Sequence, residues 1–388
     1  MKQFLFLFIS LIIFTACKQK HVRPIVYNYS APVDLSDGIS VANSTNYHID
    51  TLKLVNITKL ILSDSIPNIH SLLILKDNHL VYENYFDGED EKVGSRLGYI
   101  SHKINDLHDC RSITKSITST CIGIAVKKGL IKNIDDPIYP YFKTKYDKKF
   151  DDKKKKISIR NLLTMTSGLD WNEDVSYRDS RNTELRMDMS SDPIDFILGR
   201  PMVAQSGETW NYNGGNTQLL AEIIKSVSGQ PINEFAEKEL FKPLGINKFE
   251  WITLTKNMPA AASGLRLRSR DLLKIGLLYM SNGVWNNKQL LNPDWVDISL
   301  NPAITRISTK DKNAGYGFQF WTSTEMVEGK EINIVEAKGN GGQRIFFCKS
   351  LNLLVVITAG NYNNWDIKND SKELFLKYII PAINKIST

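Results

Sequence analysis

Histidine is scarce in this sequence, and the six histidines all lie within the first 108 residues. A catalytic triad in the chain order serine, aspartate, histidine is therefore excluded for Ser112, the serine discussed below. No Gly-x-Ser-x-Gly segment occurs, so the signature of the α/β-hydrolases is missing. No His-Glu-x-x-His, Cys-x-x-Cys or similar metal spacing occurs either. We therefore expect no metal ion and no cofactor, and we interpret the histidines as surface or hydrogen-bonded core residues.

Cysteine is also scarce, with four residues in the whole chain. Cys17 follows the apolar N-terminal run, which leaves Cys110, Cys121 and Cys348. Three cysteines cannot all pair in an exported protein. We expect Cys121, on a helix, and Cys348, in a strand, to be small buried thiols.

Long apolar runs are limited to residues 4–14, which are apolar apart from Ser10 and follow the positive charge of Lys2. This run is too short to span a bilayer but suits a secretory signal peptide. The segment FTAC at residues 14–17 resembles a bacterial lipobox. The resemblance implies cleavage before Cys17, lipidation of its sulfur and anchoring to the outer side of a bacterial membrane. The alternative is an ordinary signal peptide that happens to contain a cysteine.

The composition is that of a globular protein, with 42% hydrophobic and 23% charged residues among 388. Much of the net charge of +7 comes from residues 145–156, which hold seven lysines and three aspartates. No aromatic or glycine pattern interleaves this run, so we interpret it as a solvated loop and expect no nucleic-acid partner.

The pattern of elements predicts strands at both ends of the chain and helices in the middle. Residues 70–86 read as a hairpin that turns at 76–78. A helix is predicted from Ser112 to Lys128, ended by Gly129. Further helices and strands are predicted, and a last helix closes the chain at about 370–380. The helices are expected at 159–165, 193–198, 216–227, 232–240 and 269–280, and the strands at 316–321, 332–337, 345–348 and 353–358.

Ser112 and Lys115 form a Ser-x-x-Lys pattern at the start of a strong helix. Positions i and i+3 share a helix face, so the ammonium group can reach the hydroxyl. The helix dipole stabilises negative charge on Ser112. The dipole and burial together predict a lowered pKa for Lys115, which could then accept the serine proton. Serine and lysine are common, and the plain alternative is a helix-start serine with a surface lysine.

Two later segments add context. The run ETWNYNGGNTQ at residues 208–218 places Tyr212 before a helix, where a phenol could pass a proton to a leaving group. The run EAKGNGGQRI at residues 336–345 is rich in glycine, which lets a substrate approach the backbone. A main-chain N–H near Gly342 or Gln343, with that of Ser112, could form an oxyanion hole. The alternatives are an aromatic packing anchor and a plain glycine turn.

Together these segments resemble the three motifs of serine β-lactamase-like hydrolases. The segments at residues 161–169, 241–246 and 269–276 also resemble that family, and the likeness covers about residues 65–385. The resemblance implies an α+β fold, a three-layer α/β/α sandwich whose mainly antiparallel sheet is built from both chain ends. A helical lobe at about 135–275 would be inserted into it. The domain plan is then a signal peptide at 1–16, a lipid-anchored N-terminal segment at 17–60 and a hydrolase domain at 61–388.

The sequence departs from the family at two motif positions. Gly214 stands where the second motif would carry asparagine, and Gly339 where the third would carry lysine or histidine. Lys338 is adjacent, but strand alternation predicts that it points to the other face. The departures favour an esterase or short-amide hydrolase, similar to 6-aminohexanoate-dimer hydrolases, over antibiotic hydrolysis.

We therefore predict a serine hydrolase with Ser112 as nucleophile, Lys115 as base and Tyr212 assisting proton transfer. Its partners would be a small ester or amide substrate and a membrane. A D-Ala-D-Ala peptidase or β-lactamase and a non-catalytic cell-wall-binding scaffold remain as alternatives. Weaker pocket candidates accompany the catalytic residues, namely Gly341, Gly342, Gln343, Trp171, Tyr177 and Arg111.

Overall fold

The computed structural model describes residues 25–305, 307, 313–364, 366–367 and 370–383, so the predicted signal peptide and Cys17 lie outside the described residues. The helices are α1 Thr51–Leu62, α2 Ile113–Lys127, α3 Tyr139–Tyr146, α4 Ile159–Leu163, α5 Thr183–Asp188, α6 Pro193–Leu198, α7 Gly214–Ser228, α8 Ile232–Ala236, α9 Ser269–Met280, α10 Pro293–Leu300, α11 Ser371–Leu374 and α12 Ile380–Ile383. The strands are β1 Ile69–Lys76, β2 His79–Tyr85, β3 Asp87–Lys92, β4 Ser95–Ser101, β5 His108–Asp109, β6 Glu250–Trp251, β7 Leu265–Leu267, β8 Val284–Trp285, β9 Lys288–Gln289, β10 Ile304–Thr305, β11 Gly315–Tyr316, β12 Trp321–Val327, β13 Lys330–Gly339, β14 Gln343–Cys348 and β15 Leu353–Ala359.

The main sheet has eight strands in the order β10-β11-β12-β13-β14-β15-β1-β2. Every neighbouring pair in it is antiparallel. Strand β15, near the end of the chain, lies beside β1, near its start. This arrangement confirms the predicted sheet built from both chain ends. The predicted hairpin is also confirmed, since Asp77 and Asn78 turn between β1 and β2 with φ of 47° and 63°.

Side chains alternate across the central strands and form two separate apolar cores. Leu73 and Leu75 of β1 belong to the core on the side of the helical lobe, together with α2, α7 and α9. Leu72 and Ile74 belong to the core on the opposite side, which α1 and the C-terminal helices cover. Strands buried on both faces require helical layers above and below, so the fold is the predicted three-layer α/β/α sandwich.

The N-terminal region packs into this sandwich before residue 61. Leu54 and Ile57 of α1 are buried in the core that the C-terminal helices also cover. Ile39 is buried in the core on the opposite side, and the next residue, Ser40, accepts a backbone hydrogen bond from Leu80 of β2. Part of the predicted N-terminal segment at 17–60 therefore contributes to the core of the domain.

One strand prediction is wrong. Residues 316–321 do not form a single strand, because β11 ends at Tyr316 and β12 begins at Trp321. Gly317 lies so close to the backbone of Ser299 that a Cβ atom would sit 2.2 Å from its carbonyl oxygen. Gln319 follows with φ of 65°. Close packing and a left-handed residue thus break the apolar run into a tight turn.

The three cysteines after residue 24 are buried free thiols, as expected for Cys121 and Cys348. None of the helices in the described part of the chain has the length and apolar character that a membrane crossing needs.

Candidate active site

Ser112 lies at the turn between β5 and α2, at the N-terminal end of the helix. Its side chain makes no capping hydrogen bond to the helix backbone, so the hydroxyl is free for other partners. Arg111 before it adopts φ of 49° and makes ion pairs with Glu91 at 2.7 Å and Asp109 at 3.2 Å. The predicted pocket candidate Arg111 therefore holds the turn below the nucleophile and does not line the cavity.

Lys115 lies one turn further along α2 and is 1% exposed. Its Nζ donates to Ser112 Oγ at 3.2 Å, to Glu184 Oε2 at 3.1 Å and to the carbonyl of Ala262 at 3.2 Å. Burial opposes the positive charge, but Glu184 outweighs it and raises the pKa of Lys115. The prediction of a lowered pKa is wrong because a buried carboxylate that the helix pattern cannot reveal stands beside the amine.

Glu173 is a second carboxyl group beside the same lysine. Burial and the neighbouring Glu184 raise the pKa of Glu173 to about 8. Glu173 therefore keeps its proton at neutral pH and shares it with Glu184 through a side-chain hydrogen bond. Trp171 Nε1 donates to Glu173 Oε1 at 2.6 Å, and the Tyr177 hydroxyl donates to Oε2 at 2.8 Å. Trp171 is a buried support for Glu173, whereas Tyr177 also lines the cavity.

Gly214 makes room for this carboxyl pair. A Cβ atom at Gly214 would lie 2.2 Å from Glu184 Oε2 and 3.1 Å from Glu173 Oε1. The backbone N–H of Gly214 donates to Glu173 Oε1 at 2.6 Å. The departure at Gly214 thus has a physical reason, since the two acids occupy the space that a side chain there would need.

Tyr212 faces Ser112 from the loop that leads into α7, and both residues line the same cavity. The ammonium of Lys115 lies 4.9 Å from the centre of the Tyr212 ring. Burial, opposed by the charge of Lys115, raises the pKa of Tyr212 to about 12. Trp321 packs against the same ring with centroids 5.4 Å apart. Tyr212 is therefore a neutral phenol, packed against Trp321, that faces the nucleophile across the cavity.

The glycine segment between β13 and β14 forms the opposite side of the site. Gly341 and Gly342 line the cavity with φ of 92° and 95°, a backbone region that favours glycine. Gln343 does not line it, because its side chain is fully buried and accepts from the backbone N–H of Ala359 at 3.1 Å. At Gly339 a Cβ atom would lie 2.4 Å from the carbonyl oxygen of Cys110, which leaves no space for lysine or histidine.

Lys338 corrects a second sequence prediction. Its side chain lines the cavity beside Gly339 instead of pointing away, and its Nζ lies 5.2 Å from the centre of the Trp321 ring. Burial, reinforced by Arg344, lowers the pKa of Lys338 to about 8. Lys338 forms no ion pair with any residue that the structure describes, so its charge faces the cavity.

The cavity has a volume of about 810 Å³ and brings together the nucleophile, the phenol and the glycine segment. The structure places Ser112, Lys115 and Tyr212 together, as predicted. Glu173 and Glu184 were not among the site residues predicted from the sequence. Glu173 lies in a loop and Glu184 in the first turn of the short helix α5, where no long periodic pattern marks which acid turns inward. The unexpected glycine at 214 was the one available signal, since it leaves space beside Tyr212.

The model of the family described as Beta-lactamase matches residues 70–376 of this chain. A 6-aminohexanoate-dimer hydrolase from Paenarthrobacter ureafaciens is 24% identical over 292 residues, which is 71% of this chain and 68% of that protein. An uncharacterized protein from Alkalihalophilus pseudofirmus is 25% identical over 240 residues, which is 57% of this chain. The chain spans only 61% of the length of that relative.

Solved structures share the fold at low sequence identity. A D-stereospecific amidohydrolase from Streptomyces sp. superposes with a TM-score of 0.60 at 16% identity. The match covers 85% of this chain and 98% of the amidohydrolase. The sandwich described above is therefore an established architecture.

Proposed function

Because this chain belongs to the beta-lactamase family, we propose that it is a serine hydrolase that cleaves an ester or a short amide through an acyl-enzyme on Ser112. One observation carries the proposal. An unbroken line of hydrogen bonds joins Ser112 Oγ, Lys115 Nζ and Glu184 Oε2, with steps of 3.2 and 3.1 Å. A serine hydroxyl needs a proton acceptor to become a nucleophile, and this line supplies one in a site largely shielded from water.

Lys115 acts as base by exchanging protons along this line. As Ser112 Oγ attacks the substrate carbonyl, Lys115 takes the serine proton and gives one of its own to Glu184. The amine stays protonated throughout, which agrees with its raised pKa. Charge therefore moves from the carboxylate to the developing oxyanion while Lys115 remains positive between them. A fixed cation beside developing negative charge stabilises the transition state.

Tyr212 delivers the proton to the leaving group. Tyr212 and Ser112 line the same cavity, which places the phenol beside the bond that breaks when the tetrahedral intermediate collapses. The phenol gives its proton to the departing oxygen or nitrogen and recovers one from Lys115, which takes one back from Glu184. The net result is transfer of the serine proton to the leaving group. Water then attacks the acyl-enzyme by the reverse sequence.

The oxyanion would be held by backbone N–H groups. The N-terminal end of α2 provides that of Ser112, together with the positive end of the helix dipole. Gly341 and Gly342 form the facing wall of the cavity, and their backbone is open to a substrate because neither carries a side chain. We propose the second donor in this segment.

The substrate is proposed to carry a carboxylate or another anionic group. Lys338 supports this proposal, since its ammonium lines the cavity without an ion-pair partner among the described residues. The named relative hydrolyses the 6-aminohexanoate dimer, a short amide that ends in a carboxylate. We also propose that the enzyme works on the outer side of a bacterial membrane, held by lipid on Cys17.

A panel of p-nitrophenyl esters, short amides and nitrocefin tests this function. We expect wild type to hydrolyse esters and amides faster than nitrocefin, and Ser112→Ala to lose the activity by at least a thousandfold. The matched control is Ser119→Ala on the same helix, whose buried hydroxyl has no hydrogen-bond partner among the described residues. Equal activity of wild type and Ser112→Ala would refute the role of Ser112 as the nucleophile. Faster turnover of nitrocefin than of every ester would favour the lactamase alternative.

A further inference from the structure

Three of the histidines come together with one aspartate at a site outside the catalytic cavity. His70 lies on β1, Asp90 on β3, His102 just after β4 and His108 on β5. All four are buried, with exposed fractions of 0%, 6%, 7% and 3% respectively. The sequence spacing gave no metal motif because the four residues come from four separate segments.

The donor atoms of these residues face a common point. One ligand atom from each residue lies within 4.8 Å of the others. His70 Nδ1 and His108 Nε2 are 2.6 Å apart. Asp90 Oδ1 lies 3.9 Å from that nitrogen of His70 and 3.8 Å from that of His108. Three imidazoles and one carboxylate in this arrangement are a ligand set that Zn²⁺ takes in proteins.

His102 provides an independent observation. Its Nε2 is buried and has no hydrogen-bond partner within the described part of the chain. The ring stacks on that of His70 with centroids 3.9 Å apart. Buried polar atoms in folded proteins are nearly always hydrogen-bonded or bound to an ion, so this nitrogen points to a missing partner.

The residues around the cluster already hold the ligands in place. Asn68 Oδ1 lies 3.2 Å from His70 Nε2, the ring nitrogen that faces away from the cluster. The Tyr362 hydroxyl lies 3.5 Å from His108 Nδ1 and donates to Asp90 Oδ1 at 3.2 Å. Outer hydrogen bonds of this kind orient metal-ligating histidines and select which ring nitrogen binds the ion.

We propose that His70, Asp90, His102 and His108 bind one divalent transition-metal ion, with Zn²⁺ as the best match. Bonds of about 2.0–2.1 Å at tetrahedral angles place ligand atoms about 3.3 Å apart. The separations among the ligand atoms of His70, Asp90 and His108 run from 2.6 to 3.9 Å, and that of His102 lies within 4.8 Å of them, so side-chain adjustments of about 1–2 Å bring all four atoms to this spacing.

The ion would have a structural role close to the nucleophile. His108 is four residues before Ser112, and β5 pairs with β7 beneath the catalytic turn. Tyr362, which bonds the cluster, packs under the Arg111 guanidinium at 4.8 Å. None of the four ligands lines the catalytic cavity. The metal would therefore stabilise β5, which leads into the turn that holds Ser112, without contacting substrate.

Metal analysis of the full-length protein, purified without a histidine tag, tests the proposal. After removal of metal with a chelator and dialysis, we expect wild type to bind about one Zn²⁺ per chain and to melt at a higher temperature with zinc. Bound Co²⁺ should show the visible absorption of tetrahedral coordination. His102→Gln and Asp90→Asn should weaken zinc binding by about 10-fold or more. The matched control is His79→Gln, outside the cluster, where zinc binding should match wild type.

Two results would overturn the proposal. One is a folded wild-type protein that binds no zinc and shows no change in melting temperature at millimolar zinc. The other is zinc binding that stays the same in His102→Gln and Asp90→Asn, which would place the ion elsewhere. His102→Gln keeps the readout available if Asp90→Asn does not fold, because the His102 nitrogen has no hydrogen bond to lose among the described residues.

Discussion

Replacing Glu184 with glutamine removes the negative charge that faces Lys115 and keeps a side chain of nearly the same shape. Two unit charges 3.1 Å apart attract by about 5 kcal/mol at an effective dielectric of 20. Leaving one member of a buried ion pair alone costs about 3–5 kcal/mol of folding free energy. Glu173 also faces the ammonium and can ionise in its place. We therefore expect Glu184→Gln to lose about 3 kcal/mol at neutral pH.

Stability should change with pH in opposite directions in wild type and in Glu184→Gln. In wild type the folded pKa of Lys115 lies above its unfolded value. The stabilisation by the Lys115–Glu184 ion pair, as far as it depends on the lysine, is therefore complete when the pH is below the unfolded pKa of Lys115. It is lost as the pH rises through the folded pKa of Lys115. In Glu184→Gln, burial acts with less opposition and lowers the pKa of the lysine. Between this lowered folded pKa and the unfolded pKa, the unfolded chain then binds more protons, so the stability of the variant rises with pH in that interval.

The catalytic measurement is kcat/KM for a p-nitrophenyl ester as a function of pH. The feature of interest is its acid limb, the pH range in which kcat/KM falls as the pH is lowered. With glutamine at 184, the amine has lost its main proton acceptor and must be neutral to accept the serine proton. The limb should move to higher pH, and activity at pH 7 should fall by at least tenfold. The control is Glu237→Gln, which breaks the exposed pair with Lys242 and should cost less than about 1 kcal/mol. An unchanged limb and unchanged stability in Glu184→Gln would refute the reasoning.

Three further predictions follow from single positions. Lys338→Met should raise KM about tenfold for esters with a carboxylate and leave KM for neutral esters unchanged. In wild type, KM for the anionic esters should rise above about pH 8, where Lys338 loses its charge. Equal effects of Lys338→Met on both ester classes would contradict binding of the carboxylate by Lys338. Gly214→Ala should cost about 1–3 kcal/mol in urea unfolding because its Cβ overlaps Glu184, and unaltered stability would show that the carboxyl pair moves freely. Cys17→Ser should move the protein from the membrane to the soluble fraction and abolish palmitate labelling, and membrane retention would contradict lipid anchoring.

The fold was predictable from the sequence where hydrophobic patterns are long. The helix predicted at 193–198 matches α6, and the one predicted at 269–280 matches α9. The prediction failed at residues 316–321, where a close backbone contact of Gly317 breaks an apolar run. Contacts between distant segments decide such positions, and a local pattern contains no information about them.

The site was predictable where its residues share one element. Ser112 and Lys115 lie one turn apart on α2, so helix geometry alone placed them together. The charge state of Lys115 was not predictable, since Glu184 reaches it from the short helix α5, 69 positions away in the sequence. Lys338 was misplaced because alternation describes where a side chain leaves a strand and does not describe where a long side chain ends.

The most direct test of the central claim is mass spectrometry of the acyl-enzyme. Wild type mixed with a p-nitrophenyl ester and quenched in acid should gain the mass of one acyl group, located by peptide mapping on Ser112. Ser112→Ala should gain none, and Ser119→Ala should gain the same mass as wild type. An acyl group on any other residue, or ester turnover by Ser112→Ala at the wild-type rate, would contradict a Ser112 acyl-enzyme.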